Sequence, residues 1–287
     1  MPFALLATAL AFSLPDAQLA YDRARALVET CTPRDAGTPG ALRAAAWIEE
    51  SLRAEGVHAR RDIFMAKTPM GKRTFANVIA ELPSKNPASG WIVLLSHFDT
   101  KADCPGANDG ASTTGLLLAL AGVVARRPPG CGNLLLVWTD GEECMEAYGP
   151  MDGFWGSKRA AERLSSSGRK VTAAICLDML GDQDLGIIVP SNVTPDLSRR
   201  ACRAAGRIGR LGLVRPVSGI VRDDHVAFLE RGIPSLLLID FCYGPDNAYW
   251  HTPQDTIDKV SVASLLTSGR LVVELLKDLW GHEAGSF

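Results

Sequence analysis

Three nearly unbroken apolar runs constrain this fold more than any other feature: residues 91–96 (Trp-Ile-Val-Leu-Leu-Ser), 133–138 (Asn-Leu-Leu-Leu-Val-Trp) and 171–178 (Val-Thr-Ala-Ala-Ile-Cys-Leu-Asp). A strand with that pattern has no polar face to turn toward water, so it must be covered on both sides, as in a parallel sheet between helices. Stretches of helical length follow at 112–127, 157–166, 194–209, 224–231 and 261–280, with another strand at 234–240. This alternation is the βαβ pattern. Upstream, Thr38-Pro39-Gly40 opens a helix through Ala41–Ala54, proline being favoured in a first turn, and Gly56 stops it. Two strands near 60–66 and 75–82 then meet at a turn around Pro69-Met70-Gly71. The expected fold is a single-domain α/β/α sandwich around a mixed, mostly parallel sheet.

At 287 residues and 47% hydrophobic, the chain can bury one large core, and no linker or repeat divides it. A net charge of -2 and a pI near 6.2 argue against nucleic acid, which needs a basic face. No apolar run approaches the ~20 residues of a membrane span. Residues 2–12 have the length of a signal-peptide core but lack a basic flank. They read equally as the apolar lead into an N-terminal helix running through Leu19-Ala20-Tyr21. We therefore set residues 1–30 apart from the main domain at 31–287, with a possible signal peptide within 1–20. Export (periplasmic or secreted) and a cytoplasmic location both stay open. Seven cysteines, an odd number without paired spacing, resemble buried or free thiols more than a disulfide framework.

Acids and imidazoles follow the apolar runs, where strands end and ligands of open α/β sheets bind. Asn108-Asp109-Gly110, Glu142-Glu143 and Trp250-His251-Thr252 each place a metal-binding side chain in a loop. Asp109, Glu143 and His251 together make a three-ligand set with a fourth position open, the pattern of catalytic zinc. Asn-Asp-Gly is also an ordinary cap or turn, and a lone histidine is often structural. Adjacent acids after a buried strand are costly unless a cation or a proton neutralises them. Neighbouring side chains diverge, so Glu143 can face a metal while Glu142 faces substrate as general acid or base. His97 and Asp99 share one side of their strand, so Asp99 can orient the imidazole or a neighbouring ligand. Asp178 ends the strand at 171–178 as a further ligand or hydrogen-bond partner. Asp224 suits the cap of the helix after it, leaving Asp223 to face the site. His58 and His282 lack such company and read as surface residues.

Taken together, these residues resemble the glutaminyl cyclases, relatives of the di-zinc aminopeptidases. The likeness runs from about Arg34 to the last helix. It rests on Thr68-Pro69 followed by Gly71, Arg73, Phe75 and Asn77, on His97-Phe98-Asp99-Thr100-Lys101, and on the interval from Glu142-Glu143 to Tyr148, Asp152 and Gly156. Asp223-Asp224-His225 followed by Gly232-Ile233-Pro234 is likewise similar. The resemblance implies a zinc exopeptidase-like fold and zinc on Asp109, Glu143 and His251. It further implies acid/base work by Glu142, supporting acids Asp178 and Asp223, and a pocket walled by Trp250 and Tyr148. The substrates it implies are N-termini of peptides or proteins. The chain also departs from the family pattern. His251-Thr252-Pro253-Gln254-Asp255-Thr256 mixes in an aminopeptidase motif, and Ser96 replaces one cysteine of the pair found in animal cyclases.

Two chemistries follow. In a cyclase, one zinc polarises the γ-carboxamide of an N-terminal Gln and the α-amine closes the ring, releasing ammonia. In a di-zinc aminopeptidase, Glu142 deprotonates a water between metals, with His97 and Asp178 holding the second ion. All five peptidase ligands are present, so ligand identity does not count the metals. Oligomeric state is not legible.

Overall fold

The computed structural model describes residues 10–85, 89–128 and 130–283. Eight strands form one sheet: β1 (Ala59–Thr68), β2 (Gly71–Leu82), β3 (Trp91–His97), β4 (Asn133–Thr139), β5 (Val171–Asp178), β6 (Ile187–Val189), β7 (Val214–Pro216) and β8 (Ser235–Ile239). Their spatial order is β1-β2-β4-β3-β5-β8-β6-β7. The centre, β4-β3-β5-β8, is parallel, as is β6–β7, while β1 pairs with β2, β2 with β4 and β6 with β8 in antiparallel fashion. Seven α-helices are described: α1 (Leu14–Cys31), α2 (Pro39–Ala54), α3 (Thr113–Ala125), α4 (Trp155–Ser165), α5 (Pro195–Arg207), α6 (His225–Leu229) and α7 (Val262–Glu283).

Alternate residues of the central strands go to two separate cores. Ile92, Leu94, Leu134, Leu136, Ile175 and Leu177 pack with α1, α2, α3, α5 and α7. Val93, Leu95, Leu135, Val137, Ala174 and Cys176 pack with α4 and α6 on the other face. The apolar runs therefore have the double burial that their sequence required, and the layers are α/β/α. At the edge, β1 returns to partial exposure in alternation, as a strand with one covered face does.

Two expected boundaries shift. The hairpin strands extend to 59–68 and 71–82, because backbone pairing continues up to the turn at Pro69-Met70 beyond the apolar residues. Strands β6 and β7 had no counterpart in the sequence reading, since three residues are too few to show a period. The N-terminal helix begins at Leu14, where Asp16 Oδ2 accepts the Ser13 amide at 2.8 Å. Leu10 and Phe12 are buried, while residues 1–9, and with them most of the candidate signal segment, lie outside the described residues. His282 falls in the last turn, where no side chain is described. No described helix is long and apolar enough to cross a membrane.

Because β3, β4, β5 and β8 are parallel, their carboxyl ends share one edge. From adjacent β3 and β4 the chain leaves to opposite faces, α3 to one and α4 to the other. That divergence opens a crevice at the carboxyl ends of the strands, where ligands of such sheets sit.

Helix α3 is buried from Thr113 to Val124, and α1 lies directly against it. The contact depends on Gly115: a Cβ there would sit 2.3 Å from the Ala20 carbonyl oxygen, a backbone atom. Gly115→Ala should gain roughly 1 kcal/mol in helix propensity yet lose more to overpacking, typically about 1–3 kcal/mol. A lowered melting temperature checks this; a raised one would show that the two helices can separate freely.

Candidate active site

The end of β3 supplies His97, the loop before α3 supplies Asp109, and the loop after β4 supplies Glu142 and Glu143. The end of β5 supplies Asp178, the segment before α6 supplies Asp223, and the loop between β8 and α7 supplies Trp250 and His251. Local backbone is bent to bring them in. Asp109 (φ -104°, ψ 93°) and Gly110 (φ -113°, ψ 19°) break the helical turn over Ala107–Ser112. A Cβ on the following Gly110 would meet His97 Nε2 at 2.6 Å, so only glycine lets that loop close on the imidazole. His251 has φ 56°, and Met179, next to Asp178, has φ 53°. Left-handed non-glycine residues cost of order 1–3 kcal/mol each and cluster where function requires them.

Two groups of potential ligands share Asp109. Asp109, Glu143 and His251 form one, and His97, Asp109 and Asp178 the other, the chosen atoms of each lying within 4.8 Å of one another. His251 Nε2 is 3.3 Å from Asp109 Oδ2 and 3.0 Å from Glu143 Oε1. A tetrahedral zinc with ligands at about 2.0–2.1 Å separates them by ~3.3 Å, so this trio fits the ion in donor type and spacing. On the other side, His97 Nε2 is 3.1 Å from Asp109 Oδ1 and 3.2 Å from Asp178 Oδ1.

The electrostatics point the same way. Burial opposes charge on both imidazoles, yet their carboxylate partners outweigh it. His97 is held well above its ordinary value by Asp109 and Asp178, and His251 is raised to about 10 by Asp109 and Glu143. Protons thus sit where a cation would.

Glu142 is buried but belongs to neither ligand group. Burial, then repulsion from Glu143, pushes its carboxyl well above the ordinary range. Tyr148 Oη lies 2.9 Å from Glu143 Oε2 and 3.2 Å from Glu142 Oε2. One hydroxyl has one proton to give. It can therefore donate to only one of the two carboxylates at a time. Asp178 and Asp223 are raised as well, in each case first by burial. Asp223 Oδ1 accepts the Cys176 thiol at 3.2 Å and the Asp224 amide. The Trp250 ring stacks on the His251 imidazole at 3.9 Å and meets Phe241 edge-on, while Tyr148 stacks on Phe154.

The family model for peptidase family M28 matches residues 77–276. The chain belongs to peptidase family M28. Within it, the chain is 30% identical over 278 residues to the glutaminyl-peptide cyclotransferase of Boiga irregularis, covering 78% of this chain and 74% of the relative. The crystal structure of an Acidobacteriales bacterium glutaminyl cyclase superposes with a TM-score of 0.86 at 34% identity, over 95% of this chain and 96% of that one. A leucine aminopeptidase precursor from Bacteroides thetaiotaomicron shares the fold, with a TM-score of 0.82 at 22% identity over 94% and 99% of the two chains.

In this M28 chain, two expectations from the sequence are refined. Asp224 stands at the N-cap position of α6, but its side chain makes no cap hydrogen bond: it is buried, and its Oδ2 accepts the Thr139 hydroxyl at 2.5 Å. Of the two roles expected of Asp99, its carboxylate takes the second: it holds a neighbouring candidate ligand by accepting the amides of Glu142 and Glu143 at 3.1 and 3.0 Å. His97 Nδ1 lies 3.6 Å from that carboxylate and 3.2 Å from the Asp99 carbonyl oxygen. Sequence reasoning also missed residues that hold the loops. Asp152 accepts the amides of Met145, Glu146 and Ala147 at 2.7–2.9 Å. Buried Arg34 donates to the carbonyls of Phe98, Pro105 and Gly106 at 2.6, 2.7 and 2.6 Å. An arginine between proline and aspartate in a polar stretch gives no sign of burial. Cys144 lies buried beside Glu143, its Sγ 2.9 Å from Lys101 Nζ.

A pH consequence follows. Metal ligands bind deprotonated, and His251 with a value near 10 carries its proton at pH 7 in the metal-free protein. Zinc uptake at pH 7 should therefore release protons, and apparent affinity should rise with pH. Calorimetric titration in buffers of different ionisation enthalpy measures the release; a proton count of zero would contradict the placement of His251.

Proposed function

We propose that the protein is a glutaminyl cyclase, converting N-terminal glutamine of peptides to pyroglutamate and ammonia, with one zinc held by Asp109, Glu143 and His251. The observation that carries the activity is the company the chain keeps: relatives named glutaminyl-peptide cyclotransferase and a solved glutaminyl cyclase matched over nearly the whole of both chains. A zinc ion in that trio supplies Lewis-acid polarisation of the γ-carboxamide oxygen.

The rest of the reaction falls to this chain's side chains. The bond that forms joins the α-nitrogen to Cδ, the bond that breaks joins Cδ to the amide nitrogen, and both lie in one residue. No water nucleophile is needed, so the pocket has only to hold the glutamine folded for ring closure. Trp250 and Tyr148 wall that pocket. Glu142 takes the proton from the attacking amine and returns it to the departing ammonia, work worth roughly 10²–10⁴-fold. Its raised value suits it to both directions. Asp178 and Asp223 hold the substrate's amine, while burial and the neighbouring Glu143 keep Glu142's proton affinity high.

The second cluster, His97, Asp109 and Asp178, supports the competing di-zinc aminopeptidase reading. Incubation of zinc-loaded protein with Gln-Ala-Ala and Leu-Ala-Ala separates the two. We expect pyroglutamyl peptide and ammonia from the first, no free leucine from the second, and one tightly bound zinc per chain. Rapid leucine release with two zincs would establish the peptidase. Glu142→Gln should lower turnover by roughly 10²–10⁴-fold while zinc content persists; loss of zinc would mean that Glu142 and Glu143 have exchanged roles.

A further inference from the structure

We infer that Asp255 is a positioning residue for the metal centre, a bracket that fixes the His251 loop against the Asp109 loop; this rests on reading Asp109, Glu143 and His251 as ligands. Asp255 lies four residues beyond His251 and is fully buried. Its Oδ1 accepts the Asn108 amide at 2.7 Å, and its Oδ2 accepts the amide of Asp109 itself at 3.2 Å. Its backbone carbonyl accepts the Ala107 amide at 3.2 Å, so three consecutive amides of one ligand loop end on a single residue of the other. The Asp255 amide in turn donates to the Thr252 carbonyl at 3.1 Å, closing the turn that carries His251. Tyr243 Oη donates to Oδ1 at 2.7 Å and holds the carboxylate from the far side.

A bracket is needed here. Neither ligand sits in regular structure: Asp109 interrupts a helical turn, and His251 is left-handed. Their separation is therefore not set by a strand or helix but by whatever ties the loops together. Asn108 adds the third side of the frame, since its Oδ1 accepts the Gly181 amide at 3.0 Å, just past Asp178. A carboxylate suits the position because it accepts on both oxygens. Asparagine would aim an N–H₂ group at an N–H, and Tyr243→Phe would leave the carboxylate with one restraint fewer.

The test uses the full chain and zinc itself. Zinc dissociation constants come from competition with a chromophoric chelator, geometry from the visible absorption of the Co²⁺-substituted protein, and folding from circular dichroism. Asp255→Asn should bind zinc roughly 10–100-fold more weakly, the usual cost of losing a residue that orients a ligand. Its Co²⁺ spectrum should change while the circular dichroism does not. Tyr243→Phe should shift affinity and spectrum in the same direction by less. A folded Asp255→Asn protein with zinc affinity within twofold of wild type and an unaltered Co²⁺ spectrum overturns the inference. If Asp255→Asn does not fold, Tyr243→Phe decides: wild-type affinity and spectrum there overturn it equally. Wild-type protein that takes up no zinc would instead overturn the ligand assignment itself.

Discussion

Five carboxylates, those of Asp109, Glu142, Glu143, Asp178 and Asp223, are buried together at one edge of one sheet, and the rest of the structure answers that fact. Removing a carboxylate from water costs several kcal/mol unless it is paired, and like charges nearby add to the cost. The site meets this in two ways. Near His97 and His251 positive charge is recruited, and there the strain falls on the imidazoles, which hold their protons tightly. Asp109, which touches both imidazoles, is held below the ordinary carboxylate range. Glu143 and Asp178, which touch one each, are raised, and Glu142 and Asp223 are pushed well above that range toward their protonated forms. The division matters for chemistry. It separates groups ready to bind a cation from one ready to move a proton.

A second layer of acids faces backbone amides. Asp99 takes the amides of Glu142 and Glu143, Asp152 those of residues 145–147, and Asp255 those of Asn108 and Asp109. Asp109 and Glu143 thus each have their own N–H held by another buried carboxylate. Such contacts to charged acceptors are stronger than neutral ones, which is how loops without regular structure hold a fixed shape. Arg34 adds a buried cation on the same side, gathering the carbonyls of Phe98, Pro105 and Gly106 between His97 and Asp109.

Much of this was legible in the sequence, for physical reasons that can be named. β3, β4 and β5 announced themselves because both faces are covered, which forces a continuous apolar run. Glu142, Glu143 and Asp178 stood out because polar groups directly after such strands fall at the edge where ligands bind, and Asp109 and His251, further along their loops, stood out through that company. The supporting acids did not. Asp255 follows Pro253 and Gln254, where an aspartate is an ordinary turn residue, and its partners lie some 146 positions away. For Asp99, alternation along β3 gave the correct side of the strand and left two partners open, the imidazole or a neighbouring ligand. The amides of Glu142 and Glu143 reach it only because β4 lies beside β3. The partner of the Asp224 side chain, Thr139 on β4, lies 85 positions away and leaves no local sign, and β6 and β7 are too short to leave a pattern.

The central claim is that segments from three distant parts of the chain grip one cation. Anomalous diffraction at the zinc edge, on crystals grown with zinc, tests it most directly. The account requires a peak within bonding reach, about 2.0–2.2 Å, of a carboxylate oxygen of Asp109, a carboxylate oxygen of Glu143 and Nε2 of His251. A peak elsewhere, or none beside that trio, would contradict it.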